Sequence, residues 1–267
     1  MKGPNERYHD RVAPIYDDVY DRSPYWRYYR ELTWKQIRKH LPRTSGAAIL
    51  DLGCGTGEWG LRCMASGYRV TFVDLSNGML ARAQDRLARE LPGKEARFLR
   101  ADIAELGELD DGAFQLAIAQ GDPLSFTEKP ARAVKEIFRV LAPGGVAIAS
   151  VDNRCAAYDH YLERADLEGL ERLHRTGSTE WLAREASERF ETHAFLPTEL
   201  TKLFERAGFE VLELAGKTAL DVRRHPAILE SPASFRRCLA IEWECRKEPA
   251  FLGRAGHLEV TARRPAE

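Results

Sequence analysis

Two aspartates and a glycine-rich turn carry the most chemistry in this sequence. Residues 49–57 read Ile-Leu-Asp-Leu-Gly-Cys-Gly-Thr-Gly, an apolar strand that runs into glycines directly behind Asp51. Such a strand-to-helix turn lets backbone N–H groups approach a ligand closely, and phosphate is its usual guest. A carboxylate at the strand end opposes a pyrophosphate and suits a ligand that carries positive charge. S-adenosylmethionine, with an ammonium, a sulfonium and no phosphate, is such a ligand. Asp74 ends the next apolar run, about 20 residues on, where an acid accepts hydrogen bonds from ribose hydroxyls. A helix cap is the competing role for an acid at that junction. Ser76, directly before the helical stretch 78–91, is the better cap, which leaves Asp74 for ligand.

With these residues on the page, the chain resembles the class I S-adenosylmethionine-dependent methyltransferases. Asp51-Leu52-Gly53-Cys54-Gly55-Thr56-Gly57 is similar to the family's first motif, and Val70-Thr71-Phe72-Val73-Asp74 to its second strand with the ribose acid. Ala101-Asp102-Ile103 resembles the segment that reads adenine, and Val140-Leu141-Ala142-Pro143-Gly144-Gly145 the turn before the fifth strand. The resemblance covers residues 47–152, in the family's order. Carried onto this sequence, it implies cofactor contacts from Tyr16, Asp51, Gly53, Cys54, Gly55, Asp74, Leu75, Met79, Asp102, Ile103 and Gln120. It also implies S-adenosylmethionine as cofactor, S-adenosylhomocysteine as product, and methyl transfer as the activity. Tyr16 is included because many members carry a similar tyrosine near the cofactor.

A nicotinamide dehydrogenase is the rival, because Gly55-Thr56-Gly57-Glu58-Trp59-Gly60 satisfies G-x-G-x-x-G. Glu58 and Trp59 would then stand where the helix start meets diphosphate, and Asp51 would add further repulsion of a few kcal/mol.

After the fourth expected strand comes Ala119-Gln120-Gly121-Asp122-Pro123-Leu124, which the resemblance places beside the methyl group. It departs from the Asn/Asp-Pro-Pro-aromatic tetrapeptide of enzymes that methylate the exocyclic amines of bases, so base N-methylation is disfavoured. Asp122 is equally readable as facing substrate or as a cap before Pro123. His9, His160 and His193 fall in segments expected around the pocket, and an imidazole titrates near neutrality. His193, in Glu191-Thr192-His193-Ala194-Phe195, ranks first as the candidate catalytic base. The five cysteines are scattered without a C-x-x-C pair, so no structural zinc is expected and no metal is assigned.

The elements that must position these residues alternate short apolar strands with helical stretches, the pattern of a parallel sheet with crossover helices. Strands are expected at 47–52, 69–74, 95–99, 114–119, 144–152, 209–215 and 257–263. Helical spacing is plain at 128–141, where Ala133, Val134, Ile137, Phe138 and Leu141 recur on one face. The fold class is therefore α/β: a Rossmann-like, seven-stranded, mostly parallel sheet with helices on both faces. The resemblance implies that the last strand is antiparallel. One domain over 1–267 is expected, with an aromatic helical cap at 1–45 and the cofactor core at 47–152. The additions 153–195, read as mostly helical, and 217–254 follow strands whose carboxyl ends bind ligand, so both are expected to cover the site.

A hydrophobic fraction of 44% supplies a sizeable core, and 40 basic against 41 acidic residues leave no global attraction for polyanions. The partner expected is a small-molecule methyl acceptor, with no nucleic acid and no membrane. No leader segment and no apolar run of bilayer length is read in the sequence, so the cytoplasm is expected. RNA or protein methylation, and a regulator that binds cofactor without turnover, are the alternatives. The residues leave the acceptor and the oligomeric state open.

Overall fold

The computed structural model describes residues 2–181 and 185–266. Three helices open the chain, α1 (Pro4–Val12), α2 (Tyr16–Asp21) and α3 (Pro24–Lys39). Then β1 (Ala48–Leu52), α4 (Glu58–Ala65), β2 (Arg69–Asp74), α5 (Asn77–Glu90), β3 (Arg97–Arg100) and β4 (Phe114–Ala119) alternate. After α6 (Pro123–Phe126) and α7 (Pro130–Val140), β5 (Leu141–Asp152) completes the parallel part. There follow α8 (Arg154–Leu162), α9 (Leu167–Thr176), β6 (Ser178–Trp181), β7 (Phe190–His193) and α10 (Pro197–Arg206). The chain closes with β8 (Glu210–Lys217), α11 (Pro232–Cys245), α12 (Pro249–Leu252) and β9 (His257–Arg263).

Seven strands form one sheet in the order β3-β2-β1-β4-β5-β9-β8, parallel except where β9 runs against both of its neighbours. The expected seven-stranded sheet and antiparallel last strand are thus present. Its strands read as nearly continuous apolar runs because helices cover both faces, as in other parallel sheets. Ala133, Val134, Ile137 and Val140 of α7 are buried against one face, each apolar side chain contributing about 1.5–3 kcal/mol of burial. A second cluster around Trp59, Phe72, Leu80 and Leu116 fills the other face.

Ser76 caps α5 as expected, its Oγ accepting from the Met79 N–H at 3.1 Å. A second acid reinforces it: Asp10 accepts from Ser76 Oγ and from the Gly78 N–H, which fastens α1 to the start of α5. Part of the N-terminal aromatic set serves packing. Tyr25, Tyr28 and Leu32 of α3 form a cluster with Leu229, Phe235 and Cys238.

The segment 153–195 differs from its helical expectation. α8, α9 and a single 3-10 turn at Ala186–Glu188 are its helical parts among the described residues, and β6 and β7 pair as an antiparallel hairpin. Thr179, Glu180, Trp181 and Phe190, Glu191, Thr192 alternate across that ladder, a period of two that the apolar stripe of the preceding helices hid. Among the described residues no helix is long and apolar enough to cross a membrane.

Candidate functional site

At the carboxyl ends of the parallel strands lies a cavity of about 1210 Å³, larger than the roughly 300–1,000 Å³ of a single small-ligand site. Its floor is the glycine turn after β1. Gly53 has φ +61°, and a Cβ there would stand 2.6 Å from Cβ of Pro123, so the turn closes only with glycine. At the end of β2, Asp74 accepts from the Gly55 N–H through one oxygen (2.8 Å) and from the Ser76 N–H through the other (2.9 Å). Both oxygens keep a lone pair, and the residue lines the cavity. Burial raises its pKa above the ordinary carboxylate range, against the pull of those two N–H groups. Asp102 turns the chain after β3 by accepting from the Ala104 N–H at 2.8 Å.

Of the residues assigned to cofactor from the sequence, Tyr16, Gly53, Cys54, Gly55, Asp74, Leu75, Met79, Asp102, Ile103 and Gln120 all line this cavity. Asp51 does not. It is 1% exposed, lies beneath the glycine turn, and accepts from the Gly60 N–H at 2.8 Å, while its Oδ1 has no hydrogen-bond partner. Burial pushes its pKa up to about 8. Direct contact between Asp51 and a cofactor ammonium is therefore not what this geometry supplies. Asp51 sits instead as a buried carboxyl that holds the start of α4 through the Gly60 N–H.

The far end of the cavity is acidic, and it is built by three neighbouring strands. Gly121 and Asp122 both adopt positive φ after β4 (85° and 66°), with both N–H groups held by Ser150 Oγ of β5. Asp122 is a non-glycine residue in the left-handed region, a conformation that concentrates at functional sites. His257 opens β9 and pairs in register with Asp152 of β5 and Lys217 of β8. His257 Nδ1 lies 2.8 Å from Asp122 Oδ2 and 3.8 Å from Asp152 Oδ1. The 2.8 Å contact is an ion-pair distance, and Nδ1 has no hydrogen-bond partner of good geometry. Burial and the Asp122 charge raise the Asp152 pKa to about 7. Burial alone would lower that of His257, and Asp122 overrides it, raising the imidazole.

Behind this group, the buried Lys217 ammonium is 3.0 Å from Glu259 and donates to Gln120 Oε1 and Tyr29 Oη. Four buried polar atoms without hydrogen-bond partners converge here: Gln120 Nε2, Asp122 Oδ1, His257 Nδ1 and Glu259 Oε2. Native interiors rarely leave such groups unsatisfied, and a site for a polar ligand is one reason they persist.

The candidate base from the sequence, His193, also lines the cavity, but its Nε2 lies 2.7 Å from Glu199 Oε1, and Glu199 also pairs with Arg154. His9 lines the cavity and bonds the Asn5 carbonyl at 2.9 Å. His160 stands outside it, against Arg164. His257 escaped the sequence reading because a lone histidine at a strand start carries no motif. The signal was its position: an antiparallel strand begins where its parallel neighbours end, so its first residue reaches the ligand edge.

The chemistry fits S-adenosylmethionine. Asp74, which lines the cavity with acceptor capacity left on both oxygens, suits a ribose diol, and the Asp122 and Asp152 carboxylates on the cavity wall suit a cationic ligand. Residues 49–145 match the family described as a methyltransferase domain. Among curated proteins, the 2-phytyl-1,4-naphtoquinone methyltransferase of Nostoc punctiforme is 33% identical over 52% of this chain and 60% of its own length. The demethylmenaquinone methyltransferase of Leptospira interrogans is 34% identical over 48% of this chain and 53% of its own. The chain thus spans a little over half the length of the curated relatives it matches. Solved structures share the fold over nearly the whole chain. The cyclase SpnF superposes with a TM-score of 0.65 at 21% identity, covering 98% of this chain and 95% of that one. A Methanosarcina mazei S-adenosylmethionine-dependent methyltransferase gives 0.61 at 24%, covering 86% of this chain and 97% of that one.

Proposed function

We propose that this chain, whose residues 49–145 match a methyltransferase-domain family, is a class I S-adenosylmethionine-dependent methyltransferase and that it methylates a small, partly apolar acceptor. The observation that carries this reading is one continuous cavity. Asp74 stands at its adenosine end, Asp122, Asp152 and His257 stand at its far end, and its volume exceeds what one ligand needs. When bound, S-adenosylmethionine supplies a methyl group made electrophilic by its sulfonium. Asp74 would hold the ribose, with Leu75, Met79 and Ile103 against the adenine and Asp102 at its edge. Tyr16, stacked on Tyr20 at 4.4 Å between ring centroids, closes the same end.

The acceptor wall is aromatic. Tyr8 and Phe126 each pack against Trp181 and Phe190, which also face each other, with ring centroids 5.5–6.4 Å apart, and all four rings line the cavity. These rings come from α1, α6 and the β6–β7 hairpin, so the N-terminal cap and the added hairpin exclude water on the acceptor side. Fixing two reactants in such an enclosure is worth up to about 7–11 kcal/mol of barrier. Quinone methyltransferases among the relatives fit a flat aromatic acceptor of this kind. A macromolecular acceptor would need an open, basic surface, for which the balance of 40 basic and 41 acidic residues gives no support.

The test is transfer of labelled methyl from S-adenosylmethionine to a panel of naphthoquinols, phenols and amines, with transfer RNA and peptides in parallel. Label in a small molecule is the expected outcome, and label confined to RNA or peptide refutes the acceptor class. Tight S-adenosylhomocysteine binding with no transfer to any acceptor favours a second reading. In that reading the scaffold serves other chemistry, as the cyclase name of one structural neighbour illustrates.

A further inference from the structure

We propose that Asp122, Asp152 and His257 form a divalent-cation site at the acceptor end of the cavity. One atom from each residue lies within 4.8 Å of the others, a group drawn from the turn after β4, the end of β5 and the start of β9. Ligands bonded at about 2.1 Å stand about 3 Å apart when adjacent and about 4.2 Å apart when opposite. The separations of 2.8 Å from Nδ1 to Asp122 and 3.8 Å from Nδ1 to Asp152 fall in or beside that range. The side chains already stand close to this spacing, and contraction of a few tenths of an ångström brings all three within it.

Independent evidence lies in unsatisfied polar atoms. Asp122 is 6% exposed and lines the cavity, yet its Oδ1 has no hydrogen-bond partner, and His257 Nδ1, 2.8 Å from Asp122 Oδ2, has none either. Two unsatisfied groups this close, on the wall of a cavity, are placed for a third atom between them. Charge agrees. Asp122 and Asp152 are two carboxylates facing one imidazole, and the neighbouring ammonium, Lys217, is matched by Glu259 at 3.0 Å and turned toward Gln120 and Tyr29. A divalent ion that takes the place of the His257 proton, which is released to solvent, would offset both carboxylates and leave the imidazole neutral as a ligand.

The donor set selects among ions. Two carboxylates and one neutral imidazole suit Mn²⁺, Fe²⁺, Co²⁺ or Zn²⁺ better than Mg²⁺, which prefers an all-oxygen shell. Three protein ligands leave positions open, and the cavity is what they face. An acceptor oxygen bound there would be oriented and made more acidic, which makes the acceptor class an oxygen nucleophile. That role for the ion rests on the methyl-transfer reading; the binding of the ion does not.

The experiment titrates Mn²⁺ into chelator-stripped full-length protein, followed by calorimetry and by loss of the free-ion electron paramagnetic resonance signal. S-adenosylhomocysteine binding is measured in parallel. One Mn²⁺ per chain is expected, displaced by Zn²⁺, with affinity falling ~10-fold or more in Asp152→Asn and in His257→Gln. The Asp152 carboxylate has His257 at 3.8 Å as its nearest ionic partner, so Asp152→Asn removes a ligand without cutting a structural bond. Retained S-adenosylhomocysteine binding shows that each variant is folded. His193→Ala serves as the control and keeps the ion, because His193 is engaged by Glu199. No site tighter than about 1 mM overturns the proposal. A site that Asp152→Asn and His257→Gln leave unchanged overturns it equally. Failure of the wild type to bind S-adenosylhomocysteine would instead sink the methyl-donor reading, with the Mn²⁺ result standing on its own.

Discussion

Replacing Asp51 by asparagine separates a buried charge from the bond it makes. The side-chain oxygen that accepts from the Gly60 N–H at 2.8 Å survives in asparagine, while the ionisation does not. In the unfolded chain this carboxyl titrates near 3.8, and in the folded protein burial moves it to about 8, with Asp74 and Glu58 adding to the rise against the Gly60 bond. Below about pH 4 both states hold the proton and the residue costs nothing. As pH rises toward about 8, the unfolded chain sheds the proton and the native protein keeps it, so the wild type loses stability. The slope is about 1.4 kcal/mol per pH unit, which makes about 2–3 kcal/mol between about pH 5 and about pH 7. For 267 residues that corresponds to a relative Tm change of about 5 °C. The assay is thermal or urea unfolding of both proteins without ligand across this range. The offset between them depends on the new amide N–H where the unpartnered Oδ1 stood, so the pH-dependent difference carries the test. The variant should gain on the wild type as pH rises. Parallel curves from about pH 5 to about pH 8 would refute the reasoning and place the Asp51 charge in a solvated setting.

Other substitutions probe neighbouring parts of the site. Asp74→Asn should weaken S-adenosylhomocysteine binding by about 1.5–3 kcal/mol, read by calorimetry, because one ionised acceptor serving the ribose and two backbone N–H groups is lost. Unchanged affinity would remove Asp74 from the cofactor. Gly60→Ala should destabilise by about 1–3 kcal/mol or more in chemical unfolding, since its Cβ would fall 2.1 Å from Phe72 and 2.9 Å from Asp51. Gly107→Ala, with open space around the new Cβ, is the matched control. His193→Ala should lower stability by about 0.5–1.5 kcal/mol through the lost contact with Glu199, and leave S-adenosylhomocysteine affinity unchanged. A large fall in that affinity would return His193 to the cofactor site.

The adenosine half was legible in the chain because its chemistry is local. A strand, its glycine turn and the acid ending the next strand are short runs, and each strand places its last residue at the same edge of a parallel sheet. Spacing behind the glycine turn singled out Asp74, and the family resemblance singled out Asp102; both line the cavity. The same reasoning overreached at Asp51, since adjacency in sequence does not say which side of the turn a side chain takes. Burial beneath Gly60 decided that. It also took the β6–β7 hairpin for helix, because the stripe of Tyr161, Leu170 and Leu173 masks a change of period a few residues later.

The acceptor half belongs to the tertiary structure. Asp122, Asp152 and His257 are separated by 29 and 104 positions, and nothing local marks the last of them. They meet because β9 enters antiparallel between β5 and β8, which brings its first residue level with the final residue of β5. Sequence by itself determined where the pocket proposed for a nucleoside forms, through backbone turns that a few residues specify. Only the sheet's strand order and direction decided what faces that nucleoside, because contacts between distant strands are fixed by register rather than by any motif.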